Sequence, residues 1–280
     1  MRIRLDIAYD GTHFAGWARQ PGLRTVQGAL ETALQRVLRS PAAPRLVVAG
    51  RTDAGVHATG QVAHVDVAPD DIERLHRPRD TRPPLDQLAH RLRGVLGAYS
   101  DVTVRAATAA PEGFDARFSP VWRRYVYRIA DAASGYDPLR RHDTTSVRAS
   151  LDAAAMDAAA SSLRGLHDFA AYCRPREGAT TIRTLLDYTW RRLPDGVLEA
   201  EVRADAFCHS MVRALVGVCA AIGEGRLDVE DAARLRDEGT RSSAFPVLAA
   251  RGLTLAEVGY PASDLLAERA TQTRARRELG

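Results

Sequence analysis

Hydrophobic and polar positions alternate from the first residues of the chain. Ile3, Leu5 and Ile7 are spaced by Arg4 and Asp6, and this period of two predicts a strand over Arg2–Tyr9. Asp10-Gly11-Thr12 ends it with turn formers. The period becomes helical over Thr25–Arg39, where Val26, Leu30, Leu34 and Leu38 fall on one face and Thr25 suits the N-cap. Short apolar strands are predicted over Arg45–Ala49 and Gln61–Val67, joined by the turn-rich Gly50–Gly60. Asp71–Pro84 is charged and broken by prolines, which predicts a loop or an insertion, and Leu85–Leu96 is predicted helical.

The second half repeats this grammar. A strand is predicted over Val121–Ile129 and an Ala-rich helix over Leu151–Leu163. Ile182–Leu193 and Val197–Ala204 form a hairpin around Pro194-Asp195-Gly196. Phe207–Ile222 reads as an apolar helix and Val229–Glu238 as a polar one. Short turns and alternating strands predict an α+β fold: two halves of antiparallel sheet backed by helices, with an active-site cleft between them. The expected domains are residues 1–107, carrying the loop at 50–60, and residues 108–260. A charged tail at 261–280 is expected to fray. No internal sequence repeat is visible.

Composition narrows the chemistry. The 280 residues are 45% hydrophobic and 26% charged, a globular balance. No stretch approaches the roughly 20 apolar residues of a membrane span. Met1–Leu5 enters the strand pattern without a signal-peptide core, and the expected compartment is the cytoplasm. Cys173, Cys208 and Cys219, an odd set with no C-x-x-C, count against a disulfide framework and a thiolate metal site. All 39 basic residues are arginine, which excludes a lysine Schiff base and a P-loop lysine. The net charge of +4 permits an anionic partner, and planar guanidinium groups suit phosphate and base stacking.

Gly50-Arg51-Thr52-Asp53-Ala54-Gly55-Val56-His57-Ala58 is the segment that carries chemistry. Two glycines bracket a tight loop between strands, and Asp53 is its one carboxylate. A carboxylate among guanidinium groups stays ionised, which suits a nucleophile or an electrostatic anchor better than a general acid. On spacing alone, a β-turn in which Asp53 caps backbone amides is an equal reading. Ala8-x-Asp10-Gly11-Thr12 has Ala where a dehalogenase-type phosphatase needs its nucleophilic Asp. A glycosidase needs two carboxylates at the sugar. No His-Glu-x-x-His is present, so a metal is not expected. His57, His64 and His209 could contact RNA, but each reads more readily as structural. The rival class is a non-catalytic RNA-binding α+β protein.

The Gly50–His57 segment, followed by Gly60-Gln61-Val62-Ala63-His64, closely resembles the TruA family of tRNA pseudouridine synthases. Further blocks match in order: Tyr9-Asp10-Gly11-Thr12-x-Phe14-x-Gly16-Trp17, Thr25-Val26-Gln27, Phe114–Ser119, Arg123-Arg124-Tyr125-x-Tyr127, Leu163–Phe169, Phe207–Gly217, and Gly252-Leu253 with Tyr260. The resemblance implies uridine-to-pseudouridine isomerisation in the anticodon arm of tRNA, at nucleotides 38, 39 and 40. It implies a homodimer without metal or organic cofactor. It places Asp53 at the catalytic aspartate, Arg213 at the arginine paired with it, Tyr125 against the target base, and Arg51 in tRNA binding and base extrusion. Without it, Tyr125 and Tyr127 are equal candidates, and Arg213 on an apolar helix reads as an arginine snorkelling to the surface. The chain departs from the family in Trp17-Ala18, in Gly94–Tyr99 where the family has Asn-x-x-Leu-Pro, and in the insertion at Asp70–Pro84.

Overall fold

The computed structural model describes residues 1–75, 80–176, 178 and 180–274. In chain order the elements are β1 (Arg2–Tyr9), α1 (Val26–Leu38), β2 (Val47–Val48), β3 (His57–Asp66), α2 (Pro69–Glu73), α3 (Pro84–Leu96) and β4 (Val102–Ala109). They continue as β5 (Trp122–Ala130), β6 (Thr145–Ser146), α4 (Ala153–Ser162), β7 (Gly165–Asp168), β8 (Ile182–Arg192) and β9 (Leu198–Ala204). The last are α5 (Met211–Gly223), α6 (Asp231–Asp237), β10 (Leu253–Gly259) and α7 (Leu266–Arg274). The fold is α+β, and the chain divides into two compact units, Met1–Val121 with Leu255–Arg274, and Trp122–Thr254.

In the first unit the strands run in the order β4-β1-β3-β10, with β2 also on β3. β1 is antiparallel to β3 (Leu5 opposite Ala63) and to β4 (Leu5 opposite Ala107). The alternation read in β1 is the burial pattern: Ile3, Leu5 and Ile7 are fully buried. Thr25 caps α1 by accepting from the Gly28 amide, and Leu30 and Leu34 of α1 are buried with Leu88 and Leu92 of α3. In the second unit β5-β9-β8-β7 are successive antiparallel neighbours, and β6 adds parallel to β5. Tyr127 and Ile129 of β5, Val202 of β9 and most of α5 are buried.

Several elements differ from the sequence expectation. β4 occupies Val102–Ala109, across the expected boundary at 107–108; the chain divides instead at Val121–Trp122. Its alternation is faint because Arg105, Ala106 and Thr108 dilute Val102 and Val104, and a register shift interrupts its pairing. The stretch at 70–84 contains the short helix α2, started by Pro69 and anchored by buried Ile72; residues 76–79 lie outside the described residues. The tail does not fray through residue 274. α7 buries Leu266 and Ala270, and the Ser119 hydroxyl donates to the Leu266 carbonyl at 3.1 Å. Residues 275–280 lie outside the described residues.

The helix expected from Phe207 begins only at Met211, because Ser210 sits in the left-handed region at φ 64° and breaks the run. The cysteine count also misleads. Cys173 and Cys208 are joined as a disulfide, with Cα atoms 5.7 Å apart, and Cys219 remains free and buried. The two are 35 residues apart in sequence, and the fold rather than any local motif brings them together.

Candidate active site

The Gly50–Gly60 loop leaves β2 and enters β3, and the backbone of the segment that follows β1 holds it from one side. Trp17 N donates to the Thr52 carbonyl at 3.0 Å, and Gly55 N to the Phe14 carbonyl at 3.4 Å. Val56 N closes a turn onto the Asp53 carbonyl at 3.2 Å, and Gly55 supplies the positive φ of 78° that the turn needs. Below the loop, the Tyr9 hydroxyl shares a 2.8 Å hydrogen bond with the Thr52 hydroxyl. The Gln61 amide donates to Tyr9 Oη at 3.1 Å and to the Gly50 carbonyl at 2.9 Å. All three side chains are buried, and burial pushes the Tyr9 phenol up to about 12, so it is neutral across the physiological range.

Two glycines of the Tyr9–Trp17 block allow this approach. A Cβ on Gly11 would lie 2.0 Å from the Val56 carbonyl oxygen. A Cβ on Gly16, whose φ is 97°, would lie 3.0 Å from the Thr52 carbonyl oxygen. His57 Nδ1 accepts from the Gly11 amide at 3.0 Å, and His64 Nδ1 accepts from the Ala116 amide at 3.0 Å. Each imidazole thus holds a backbone amide, and His57 Nδ1 also lies 3.1 Å from the Asp10 carboxylate. The result is a pinned loop presenting a half-buried Asp53 and an exposed Arg51.

The other two predicted site residues belong to the second unit. Tyr125 on β5 is 8% exposed, and its ring meets Phe207 edge-on with centroids 5.1 Å apart. Tyr127, two residues on, is fully buried; its hydroxyl donates to the Ala249 carbonyl at 2.7 Å and meets the Thr145 hydroxyl at 2.9 Å. Burial raises that phenol to about 12. Tyr127 is therefore a core residue with its polar end satisfied. Arg213, in the first turn of α5, does not snorkel. It is half-buried, its Nε donates to the Leu248 carbonyl at 2.6 Å, and its own carbonyl accepts from Leu248 N at 3.2 Å.

Sequence reasoning missed the support for these groups. The apolar run predicts Phe207 as the first turn of a helix, whereas it lies before α5 and packs on Tyr125. Its signal was an aromatic placed before a Cys-His-Ser stretch that favours a loop. Thr52 and Gln61 carry no local signal for their role, because their partner Tyr9 is more than 40 residues away in sequence. Among the described residues no group of three or more His, Cys, Asp or Glu is arranged to hold a metal ion, and no helix is long and apolar enough to cross a membrane.

The family described as tRNA pseudouridine synthase matches residues 7–118 and 159–261. The tRNA pseudouridine synthase A of Leifsonia xyli subsp. xyli is 61% identical over 284 residues, covering 99% of this chain and 98% of its own. That of Frankia casuarinae is 58% identical over 275 residues, covering 98% and 95%. That of Cutibacterium acnes is 52% identical over 278 residues, covering 99% and 95%. Among solved structures, a Cbf5-Nop10-Gar1 complex is a distant likeness, with 10% identity and a TM-score of 0.31 over 79% of this chain and 54% of the other. This chain belongs to the tRNA pseudouridine synthase family.

Proposed function

We propose that this protein isomerises uridine to pseudouridine in the anticodon arm of tRNA, at positions 38, 39 and 40, as a cytoplasmic homodimer. The observation that carries the reading is Asp53, a lone carboxylate on a loop that buried hydrogen bonds hold in place. The reaction breaks the bond between the uracil nitrogen and C1′, turns the base, and joins its C5 to the same C1′. The proton lost from C5 is balanced by one gained at the freed nitrogen. Asp53 serves either by covalent attachment or by stabilising positive charge at the sugar carbon. Arg213 is read as the partner that orients it, because a guanidinium beside a carboxylate favours its ionised form and fixes its geometry. Tyr125, held edge-on by Phe207, offers the freed base an aromatic face. Extruding the uridine from its stack costs a few kcal/mol, and Arg51 and other arginines on phosphates offset that cost.

The test is Asp53→Asn and Asp53→Ala on unmodified tRNA transcripts, with pseudouridine mapped by position. Both variants are expected to fold and bind tRNA yet make no pseudouridine. Substantial turnover by either would remove Asp53 from the reaction. Wild-type chain that bound RNA without converting any uridine would leave the non-catalytic RNA-binding reading.

A further inference from the structure

A groove of about 730 Å³ opens in the first unit, along the outer face of α1. Its basic residues are Arg19, Arg24 and Arg36, and among the described residues that line it there is no carboxylate. Ala29 and Ala33 keep the helix face shallow, Thr32 adds a hydroxyl, and exposed Leu23 and Val95 supply apolar rim. Arg24 is braced from behind by Asp101 (2.6 and 2.7 Å) and lies 4.1 Å above the Phe14 ring, yet its side chain is 52% exposed. Arg19 is 65% exposed and reaches buried Glu31 at 3.7 Å. Arg36 is exposed and has no carboxylate partner among the described residues.

The groove shares a wall with the Asp53 loop. Residues 14–25 form one segment closed on itself by Ala15 N donating to the Arg24 carbonyl at 2.9 Å. One end of that segment receives Gly55 N and donates Trp17 N to Thr52; the other end lines the groove. A strand of RNA whose reacting nucleotide stands at Asp53 therefore has a basic channel beside it. We propose that this groove seats the sugar-phosphate backbone of the substrate RNA, with phosphates on Arg19, Arg24 and Arg36 and riboses over Leu23 and Val95. This rests on the reading of Asp53 as acting on tRNA. Charge selects RNA over a second copy of the chain, because a twofold contact through this face would bring arginines toward arginines.

The experiment measures tRNA transcript binding at several salt concentrations for the full chain, for Arg36→Gln and for Arg19→Gln/Arg36→Gln. Arg226→Gln, on the second unit, is the control. Each lost phosphate contact lowers the slope of log affinity against log salt by roughly 0.7–0.9. Arg36→Gln is expected to weaken binding several-fold at low salt and to raise KM for tRNA, leaving the single-turnover rate at saturating tRNA unchanged. The double variant should lose close to two contacts' worth of slope, and the control none. The Arg36→Gln melt should superimpose on wild type, since Arg36 is exposed. The double variant is compared under conditions where its melt shows it folded, because it also removes the cation beside buried Glu31.

Unchanged affinity and slope in the double variant, with wild type making pseudouridine, overturns the groove and leaves the proposed activity standing. A double variant that changes its oligomeric mass while keeping the wild-type slope also overturns it, by making the face a protein contact. Wild-type chain that neither binds nor isomerises tRNA overturns the reading of Asp53 and the groove with it.

Discussion

Tyr9→Phe isolates the support beneath the Asp53 loop without touching any group proposed to meet the substrate. The substitution deletes one oxygen from a side chain that is 5% exposed. That oxygen joins Thr52 at 2.8 Å and Gln61 at 3.1 Å. Gln61 keeps its bond to the Gly50 carbonyl, so its loss is partial, while the Thr52 hydroxyl is stranded in a buried site. One stranded buried hydroxyl costs about 1–2 kcal/mol, a Tm change of a few degrees for a chain of this size. The larger effect is expected in the rate. Thr52 immediately precedes Asp53, and a displacement of roughly 1 Å in a reacting group can cost about 100-fold. The assay pairs denaturant melts with single-turnover pseudouridine formation and tRNA binding. Expected are a stability loss of about 1–2 kcal/mol, a rate at least tenfold lower, and tRNA affinity within twofold of wild type. Tyr9→Phe/Thr52→Val should recover part of the stability, because the stranded Thr52 hydroxyl is gone and only one Gln61 N–H has lost its acceptor. A Tyr9→Phe protein that lost stability and kept its full single-turnover rate would show that this network does not position Asp53.

Other substitutions separate the remaining roles. Tyr125→Phe should lower the rate, whereas Tyr127→Phe should cost about 1 kcal/mol of stability and spare the rate; melts and single-turnover assays read both. Arg213→Lys keeps the charge but loses the planar fork, so kcat should fall more than tRNA affinity in a kcat and Kd comparison. Asp131 is buried; burial opposes its charge, but the Arg192 guanidinium at 2.8 and 3.0 Å and the Leu151 and Ser134 amides outweigh this and hold its carboxyl well below the usual range. Its stabilising contribution is therefore complete above the unfolded pKa near 3.9 and is lost as pH falls toward the lower folded value. Arg192→Met should cost about 3 kcal/mol at neutral pH and should weaken the acid dependence seen in melts from pH 5 to pH 2.

The parts of the fold legible in the sequence are those where one side of an element is buried and the other is wet. β1, α1, α3, β5 and the β8–β9 hairpin show clean periodicity because each packs one face. β4 and β10 escaped because their buried positions are interleaved with alanine and threonine. α7 escaped because its anchor is only Leu266 and Ala270 in a charged stretch, and what holds it, Ser119, lies 147 residues away. The Cys173–Cys208 pairing is illegible for the same reason: it is a property of the fold at long range, and counting cysteines says nothing about proximity.

The candidate site divides along the same line. Asp53 was legible because a carboxylate between two glycines is a local pattern, but spacing could not separate a chemical role from a turn. The structure contains a backbone turn at this point, with Val56 N donating to the Asp53 carbonyl at 3.2 Å. Tyr125 and Tyr127 share a strand face and a residue type, and only their surroundings distinguish them. Thr145 and the Ala249 carbonyl bind the Tyr127 hydroxyl from distant segments, while Phe207 meets the ring of Tyr125. Arg213 is the instructive case. Its apolar helix predicts a side chain escaping to water, but Leu248, 35 residues later, supplies a carbonyl that holds the guanidinium in place. The Leu248 carbonyl thus helps to orient a planar guanidinium whose N–H donors form a rigid fork. The loss in Arg213→Lys is expected in catalysis rather than in folding, since an ammonium could still reach Leu248 and keep the charge but could not reproduce the planar fork.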